Sequence, residues 1–161
     1  MSAPPVPGAT PRALVIHPDD RLRQVCAPVG AVDAETRQLA MDMLATMYAA
    51  PGRGLAAPQV GVLKRLFVMD VTWREGAPDP WVCLDPVISD PSEAMATREE
   101  GCLSIPDHPV RVTRPASVTL NFTDLTGARQ SHRLTGFAAA CAQHEADHLD
   151  GILILDHEGQ P

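Results

Sequence analysis

Two histidines and a glutamate near the end of the chain have the residue types and the spacing of a hydrolytic metal site. His144, Glu145 and His148 form the pattern His-Glu-x-x-His. On a helix, residues four positions apart point in directions that differ by about 40°, so both imidazoles can bind one divalent ion. Glu145 adjoins the first of them and can take a proton from a water at the metal without being a ligand. The pattern alone leaves a solvated helix face as the alternative.

A catalytic site of this kind needs a third protein ligand. Downstream, 13 residues follow His148, and the candidates His157 and Glu158 lie in a tail that is expected to fray. Upstream, Cys102 is the best candidate, because a thiolate with two imidazoles suits Fe(II), Zn, Co or Ni and leaves a position open for water. For Cys102 taken alone, a buried and inert thiol is the alternative.

Composition and charge restrict the class of protein. The chain has 161 residues and a formal net charge of −7, and Lys64 is its single lysine. This balance argues against direct nucleic-acid binding and against a polybasic membrane anchor. The sequence has no secretory signal pattern and no stretch of transmembrane length. We therefore expect one catalytic domain over residues 1–161, in the cytoplasm and not at a membrane, with the Pro-, Ala- and Gly-rich residues 1–11 disordered.

The metal pattern lies in a segment whose composition predicts a helix over residues 136–150, and Gly151 is expected to end it. A second helix is predicted over residues 33–49, with Asp33 as its N-cap. Residues 52–61 contain three glycines and a proline and are expected to form a loop of special backbone geometry. Shorter elements are predicted elsewhere: a helical turn at 18–25, a connection at 91–100, and strands at 66–71, 81–88, 110–112, 117–122, 130–134 and 152–155.

Three separated motifs give the chain a family resemblance. They read GRGLAAPQVG at 52–61, EGCLSIP at 100–106 and QHEADHLDG at 143–151. In this order and at this spacing the chain resembles the peptide deformylase family over nearly its whole length. The resemblance implies an α+β fold in which the HExxH helix packs against short antiparallel sheets, with a further helix in the N-terminal half. It also implies a substrate class, the N-formylmethionyl nascent peptides, from which the family releases formate.

The resemblance implies a role for each residue of the metal motifs. The metal would usually be Fe(II), and Zn, Ni or Co can replace it. Glu145 would act as the proton shuttle, and the developing oxyanion would be stabilised by two donors in addition to the metal. The implied ligands are Cys102, His144 and His148, and the implied oxyanion donors are the Gln59 side-chain amide and the Leu103 backbone N–H.

The small residues of the first motif would let a peptide substrate pair with the loop backbone like an added strand. Arg114 is expected to pair with Asp147 behind the ligand helix, with an ordinary surface ion pair as the alternative. The predicted substrate-binding residues are Arg53, Gly54, Glu100, Gly101, Ala140 and Cys141, the last as a wall residue of the site.

Some positions depart from the family's usual pattern. Pro109 stands where many members have a substrate-binding arginine, and Arg98 stands where the residue is often apolar. The alanine-rich run before the HExxH motif is unusually small, so the pocket for the first side chain is expected to be larger or more polar, with a shifted preference. The chain ends at Pro161 without the C-terminal helix by which typical bacterial members engage the ribosome, so ribosome docking is not expected.

Two alternatives to deformylation of formylmethionyl peptides follow. One is a deformylase-like hydrolase that acts on another N-acyl peptide. The other is a catalytically idle metal-binding or interaction protein with the same fold. The complete set of metal-binding and acid–base residues argues against this second alternative.

Overall fold

The computed structural model describes residues 2–160, in which two α-helices pack against two antiparallel sheets. The larger sheet has five strands in the order β1-β2-β3-β6-β7, and the smaller is the hairpin β4-β5. This confirms the predicted α+β class. The helices are α1 (Ala34–Ala49) and α2 (Gly136–Leu149), and the strands are β1 (Gly54–Ala56), β2 (Leu66–Met69), β3 (Trp81–Ser89), β4 (Met95–Cys102), β5 (Ile105–Pro115), β6 (Ser117–Thr123) and β7 (Arg129–Thr135).

Strand β2 lies at the centre of the core because both of its faces are covered. Its four residues are all buried. Leu66 and Val68 belong to the apolar cluster that α1 covers, whereas Phe67 and Met69 belong to the cluster that α2 covers. A strand that is buried on both faces has a continuous run of apolar residues, and this run is the pattern that predicts β2 from the sequence. The five-stranded sheet therefore separates the two helices.

Helix α1 begins and packs as its sequence predicts. The Asp33 carboxylate accepts a hydrogen bond of 2.8 Å from the backbone N–H of Thr36, which satisfies one free donor of the first turn. Met43 and Met47 are fully buried and pack in the core.

The chain before α1 has no helix or strand among residues 2–19 but contacts that helix. The Thr10 backbone N–H donates to Asp42 at 2.9 Å, and the Arg12 guanidinium donates to the same carboxylate at 3.0 Å. Gln38 donates to the carbonyl oxygen of Gly8 at 3.1 Å. The last residues of the segment for which disorder was expected thus lie against α1.

Three element predictions were wrong. The 91–100 connection contains most of β4, and the 52–61 loop contains β1 and a 3-10 helix, Ala57–Val60. The 152–155 run is not a strand but leads into another 3-10 helix, Ile154–His157. These segments pair or pack with residues far away in the chain, so their local patterns carry little signal. In the part of the chain described here, no helix is long and apolar enough to span a membrane.

Candidate active site

Helix α2 carries two histidines and a glutamate into the interior. Alanines fill most of its first two turns and let it pack closely on the sheet. The helix stops before Gly151, whose φ is +73°. A Cβ at this position would lie 2.5 Å from the carbonyl oxygen of Arg23, so glycine is required both by the backbone angle and by the space. The prediction that Gly151 ends the helix is therefore confirmed. The close approach of Gly151 to Arg23 fixes the position of the helix end.

The β4-β5 hairpin brings Cys102 to this helix. The two strands pair from Met95 opposite Pro115 to Cys102 opposite Ile105, with a shift of register between Glu100 and Cys102. Such irregularities bend a strand and redirect its side chains. The sulfur of Cys102 consequently faces α2.

Three potential ligands meet at this point. The Cys102 Sγ lies 3.4 Å from the Nε2 of His148, and one donor atom from each of Cys102, His144 and His148 lies within 4.8 Å of the others. At metal–ligand distances of about 2.0–2.3 Å, tetrahedral ligands lie roughly 3.5 Å apart. One sulfur and two imidazole nitrogens at this spacing fit a divalent ion with a further position open. The downstream residues considered from the sequence, His157 and Glu158, are not part of this cluster.

Glu100 orients the first histidine of the cluster. Its carboxylate accepts a hydrogen bond of 3.0 Å from the Nδ1 of His144, which leaves Nε2 free to face a metal. Arg114 donates two hydrogen bonds to Glu100, at 2.8 and 2.9 Å, and one of 2.8 Å to Asp147. The predicted pair of Arg114 with Asp147 is thus present, and because Arg114 is buried it is not an ordinary surface pair. Burial opposes the charge of Glu100, but Arg114 and His144 outweigh it and lower its pKa to about 2.

The charges around the two histidines favour a cation. Burial alone would lower the pKa of His144, yet the negative charge of Glu145 and the contacts with Cys102 and Glu100 raise this pKa to about 10. For His148, burial and the neighbouring His144 together hold the pKa well below its usual value. His148 is therefore a neutral imidazole, the form that binds metals, and the negative charges around His144 favour a positive charge at that ring.

Glu145 lies buried beside the cluster and close to the first motif. Burial raises the pKa of Glu145 to about 7, and within the described residues its Oε1 has no hydrogen-bond partner. A Cβ at Gly54 would lie 2.5 Å from the Oε2 of Glu145 and 2.9 Å from the sulfur of Cys141. Glycine at position 54 is thus what allows strand β1 to approach Glu145. A buried carboxyl group with a pKa near neutrality is suited to accept and donate a proton.

Gln59 reaches the site from the 3-10 helix of the first motif. Its Nε2 donates to the Ser104 hydroxyl at 3.0 Å and lies 3.6 Å from the Cys102 sulfur, and its Oε1 accepts from the Ala56 N–H at 3.0 Å. These contacts fix the amide with its N–H groups directed toward the cluster. Leu103 follows Cys102 in the hairpin turn and contacts Gly52.

A cavity of about 720 Å³ lies in front of the cluster. Apart from the buried His148, all the residues predicted for catalysis, metal binding and substrate binding border this cavity. Arg98 and Pro109, the two departures from the family pattern, also line it. The Arg53 guanidinium lies 4.7 Å from the Phe137 ring centroid and 3.3 Å from the Glu75 carboxylate. The predicted site residues therefore surround one pocket.

The sequence did not predict a role for some residues that line this pocket or support its lining. Ser104 is fully buried and holds Gln59, although nothing but its place within the second motif indicated a role. Phe137 and Arg74 also line the cavity, although both lie outside the three motifs, and so does Asp107, which directly follows the second motif. Cys26 and Cys83 are buried in the core, away from the cluster, as packing residues.

Comparisons with known proteins agree with this geometry. The model of the polypeptide deformylase family matches residues 11–160. The peptide deformylase of Rhizobium meliloti (strain 1021) is 49% identical over 148 residues, which are 92% of this chain and 85% of that protein. The peptide deformylase of Synechococcus elongatus in complex with actinonin is similar, with a TM-score of 0.89, 39% identity and coverage of 95% of this chain and 83% of that one.

A second solved structure is the class I type b peptide deformylase from Acinetobacter baumannii bound to Met-Ala-Ser. It is similar with a TM-score of 0.85 and 34% identity, covering 92% of this chain and 99% of that chain. Sequence and structure thus agree over most of the length of these proteins, and the chain belongs to the polypeptide deformylase family.

Proposed function

We propose that this protein is a metal-dependent hydrolase that removes the N-formyl group from N-formylmethionyl peptides and releases formate. The observation that carries the proposal is the meeting of Cys102, His144 and His148 beside the buried Glu145, at the base of a peptide-sized cavity. Membership of the deformylase family gives the bond to be cleaved.

Cys102, His144 and His148 would hold one divalent ion, which we propose is Fe(II) in the cell, with Zn, Ni or Co able to replace it. When bound, the ion supplies Lewis acidity, which lowers the pKa of a water and polarises a carbonyl group. Glu100 keeps the Nδ1 of His144 occupied, so that the ring presents its other nitrogen.

Glu145 would accept the proton of the attacking water and then give it to the leaving nitrogen of the peptide. Its pKa near 7, caused mainly by burial, suits both directions of transfer. The side chain lies next to the ligands and lines the cavity without being one of the three clustered donors.

Gln59 and Leu103 would stabilise the negative charge that develops on the formyl oxygen. The Gln59 amide is held by Ala56 and Ser104, so it is already oriented before the substrate enters. The Leu103 backbone N–H lies next to Cys102 in the hairpin turn. Donors fixed in advance lose little free energy to reorganisation when the oxyanion forms.

Strand β1 would bind the peptide backbone. It lies at the edge of the five-stranded sheet and borders the cavity at its first residue, Gly54, next to Arg53. Extended peptides add to such edges through backbone hydrogen bonds. Gly101, Ala140 and Cys141 would then surround the first side chain of the peptide. A related deformylase is described as bound to Met-Ala-Ser, which is a peptide of the class proposed here as substrate.

The decisive experiment is formate release from formyl-Met-Ala-Ser by protein purified without oxygen or reconstituted with Ni²⁺ or Co²⁺. We expect turnover that stops when a chelator removes the metal and returns when metal is added. Absence of formate from protein with a full metal site would reject the proposal.

A second candidate function is hydrolysis of another N-acyl peptide. The specific observation in its favour is Arg98, whose charged side chain borders the cavity near Ala140. Comparison of formyl-Met, formyl-Glu and acetyl-Met peptides distinguishes the two. A cytoplasmic location and the absence of direct nucleic-acid binding remain predictions.

A further inference from the structure

His157 links the end of the described chain to the helix that carries the metal-binding histidines. Its Nε2–H donates to the Oδ2 of Asp147 at 3.1 Å, and its side chain is 17% exposed. The residue belongs to the 3-10 helix Ile154–His157, nine positions after His148. Its contact with Asp147 fixes this short helix on α2.

From Asp147, a continuous series of hydrogen bonds leads to His144. The Oδ2 of Asp147 accepts from both His157 and Arg114, at 3.1 and 2.8 Å. Arg114 donates to both oxygens of Glu100, and Glu100 accepts from the Nδ1 of His144 at 3.0 Å. Each step in the series is a hydrogen bond with at least one charged partner, the kind with the strictest geometry.

The centre of this series, at Arg114 and Glu100, is buried, which limits the exchange of their partners with water. Arg114 is 6% exposed, and the side chains of Glu100 and Asp147 are 9% and 24% exposed. Arg114 divides its donors between the two carboxylates. Movement of Asp147 would therefore move Arg114, and with it the carboxylate that orients His144.

We propose that His157 is a positioning residue for the metal site, which acts through Asp147, Arg114 and Glu100 to hold His144 in the orientation for binding a divalent ion. This inference rests on one part of the proposed function, the binding of a divalent ion by Cys102, His144 and His148, and does not depend on the substrate. It reverses the expectation that the tail frays, because His157 is held by a half-buried carboxylate.

The size of the effect follows from the distance to the metal. Groups that contact a ligand directly change metal affinity by about 10–100-fold when removed. His157 lies three contacts further out than Glu100, so we expect metal release to accelerate by about three- to tenfold, mostly through a looser His144.

The test compares the rate at which Co²⁺ leaves the full-length protein in excess chelator, followed by the thiolate-to-cobalt absorption band, in the absence of any peptide. His157→Ala should release Co²⁺ about three- to tenfold faster than the unmodified protein. His157→Gln retains an N–H donor and should release Co²⁺ at nearly the rate of the unmodified protein. If circular dichroism shows that the alanine variant folds poorly, His157→Phe replaces it, because phenylalanine keeps a ring but has no N–H donor. This variant should also release Co²⁺ about three- to tenfold faster than the unmodified protein.

Arg23→Ala is the matched control. Arg23 donates to Asp156 in the same 3-10 helix at 2.6 Å, through an exposed pair that does not touch the series leading to His144. This variant should release Co²⁺ at the unmodified rate.

Equal release from the unmodified protein and the His157 variants would overturn the proposal. Equally rapid Co²⁺ release from Arg23→Ala and His157→Ala would also overturn the proposal. Any loosening of the 3-10 helix would then explain the faster release, without the hydrogen bonds that lead to His144. Because no peptide is present, the result does not depend on formate release. If the metal effect appears but formate does not, the proposed function fails and this inference stands.

Discussion

At the scale of single residues, the site separates metal binding from proton transfer. Glu145 is not among the three clustered donors, and its Oε1 is free of partners within the described residues. Glu145→Gln should therefore keep the metal, because the ligands are unchanged, and lose about 10²–10⁴-fold in kcat, the usual contribution of a general base. Metal analysis beside formate assays checks both statements. Activity within threefold of the unmodified enzyme at full metal content would contradict the role of proton shuttle.

Arg98 gives a second prediction at this scale, about the choice of substrate. Arg98 lines the cavity together with the small Ala140, and an apolar first side chain placed against its guanidinium would disturb the hydration of that charge. Arg98→Leu should raise kcat/KM for formyl-Met peptides by about three- to tenfold relative to formyl-Glu peptides. Arg37→Leu, on the exposed face of α1, is the control and should leave the ratio unchanged. A ratio unaffected by Arg98→Leu would remove this residue from the determinants of specificity.

The residues of the site differ in how far the sequence could predict them. The two histidines and the glutamate follow from helical spacing, whereas Cys102 needed either the elimination of other ligands or the family motif. Ser104 contacts Gln59 behind the cavity, and Phe137 lines the cavity, through tertiary packing alone, which no local pattern encodes. His157 is correctly excluded as a metal ligand, but its contact with Asp147 follows from tertiary packing, which its position in the sequence does not predict.

At the scale of elements, the close approach of β1 to α2 is what closes the site. Gly54→Ala should disturb it, since the added methyl would lie 2.5 Å from Glu145 and 2.9 Å from Cys141. We expect a loss of about 1–3 kcal/mol in the free energy of unfolding, typical of overpacking, and a larger loss of kcat than of metal affinity. Urea unfolding, metal analysis and formate assays measure the three quantities.

Gly127→Ala is a useful control for that substitution, because it strains a turn of positive φ while its Cβ would meet nothing within 4 Å. It should lower stability by roughly 1 kcal/mol without changing kcat. If Gly54→Ala were no worse in kcat than this variant, contact between β1 and Glu145 would not matter for catalysis.

Strand prediction succeeded for β6, which has one buried face, and failed for β4, which has none. Strand β6 alternates buried and half-buried residues, and its bounds differ from the prediction by one residue. Strand β4, in contrast, exposes most of its side chains, so no apolar alternation marks it. Its partner β5 includes Pro106 and Pro109, which are tolerated because a two-stranded sheet has only edge strands. The hairpin that delivers Cys102 was thus the element least visible in the sequence.

At the scale of the whole molecule, one buried carboxylate on α1 ties the first described segment to the body of the protein. Burial opposes the charge of Asp42, but the Thr10 N–H, Gln38 and Arg12 outweigh it, so that its pKa is lowered. A carboxylate with a lowered folded-state pKa contributes stability that is present above the unfolded value of about 3.9 and is lost as the pH falls through the folded value. Attachment of this segment is therefore expected to weaken in acid.

Asp42→Asn tests this dependence. At pH 7 the variant should be about 1–3 kcal/mol less stable, because it loses the charge that Arg12 and Thr10 contact. The difference should shrink as the pH falls below 4, since protonation makes Asp42 resemble asparagine, and acidic groups elsewhere affect both proteins equally. Urea unfolding at pH 7, 5 and 3 measures the difference, with Glu35→Gln on the exposed face of α1 as the control. A gap between the two proteins that stays constant over this range would mean that Asp42 acts through its shape and not through its charge.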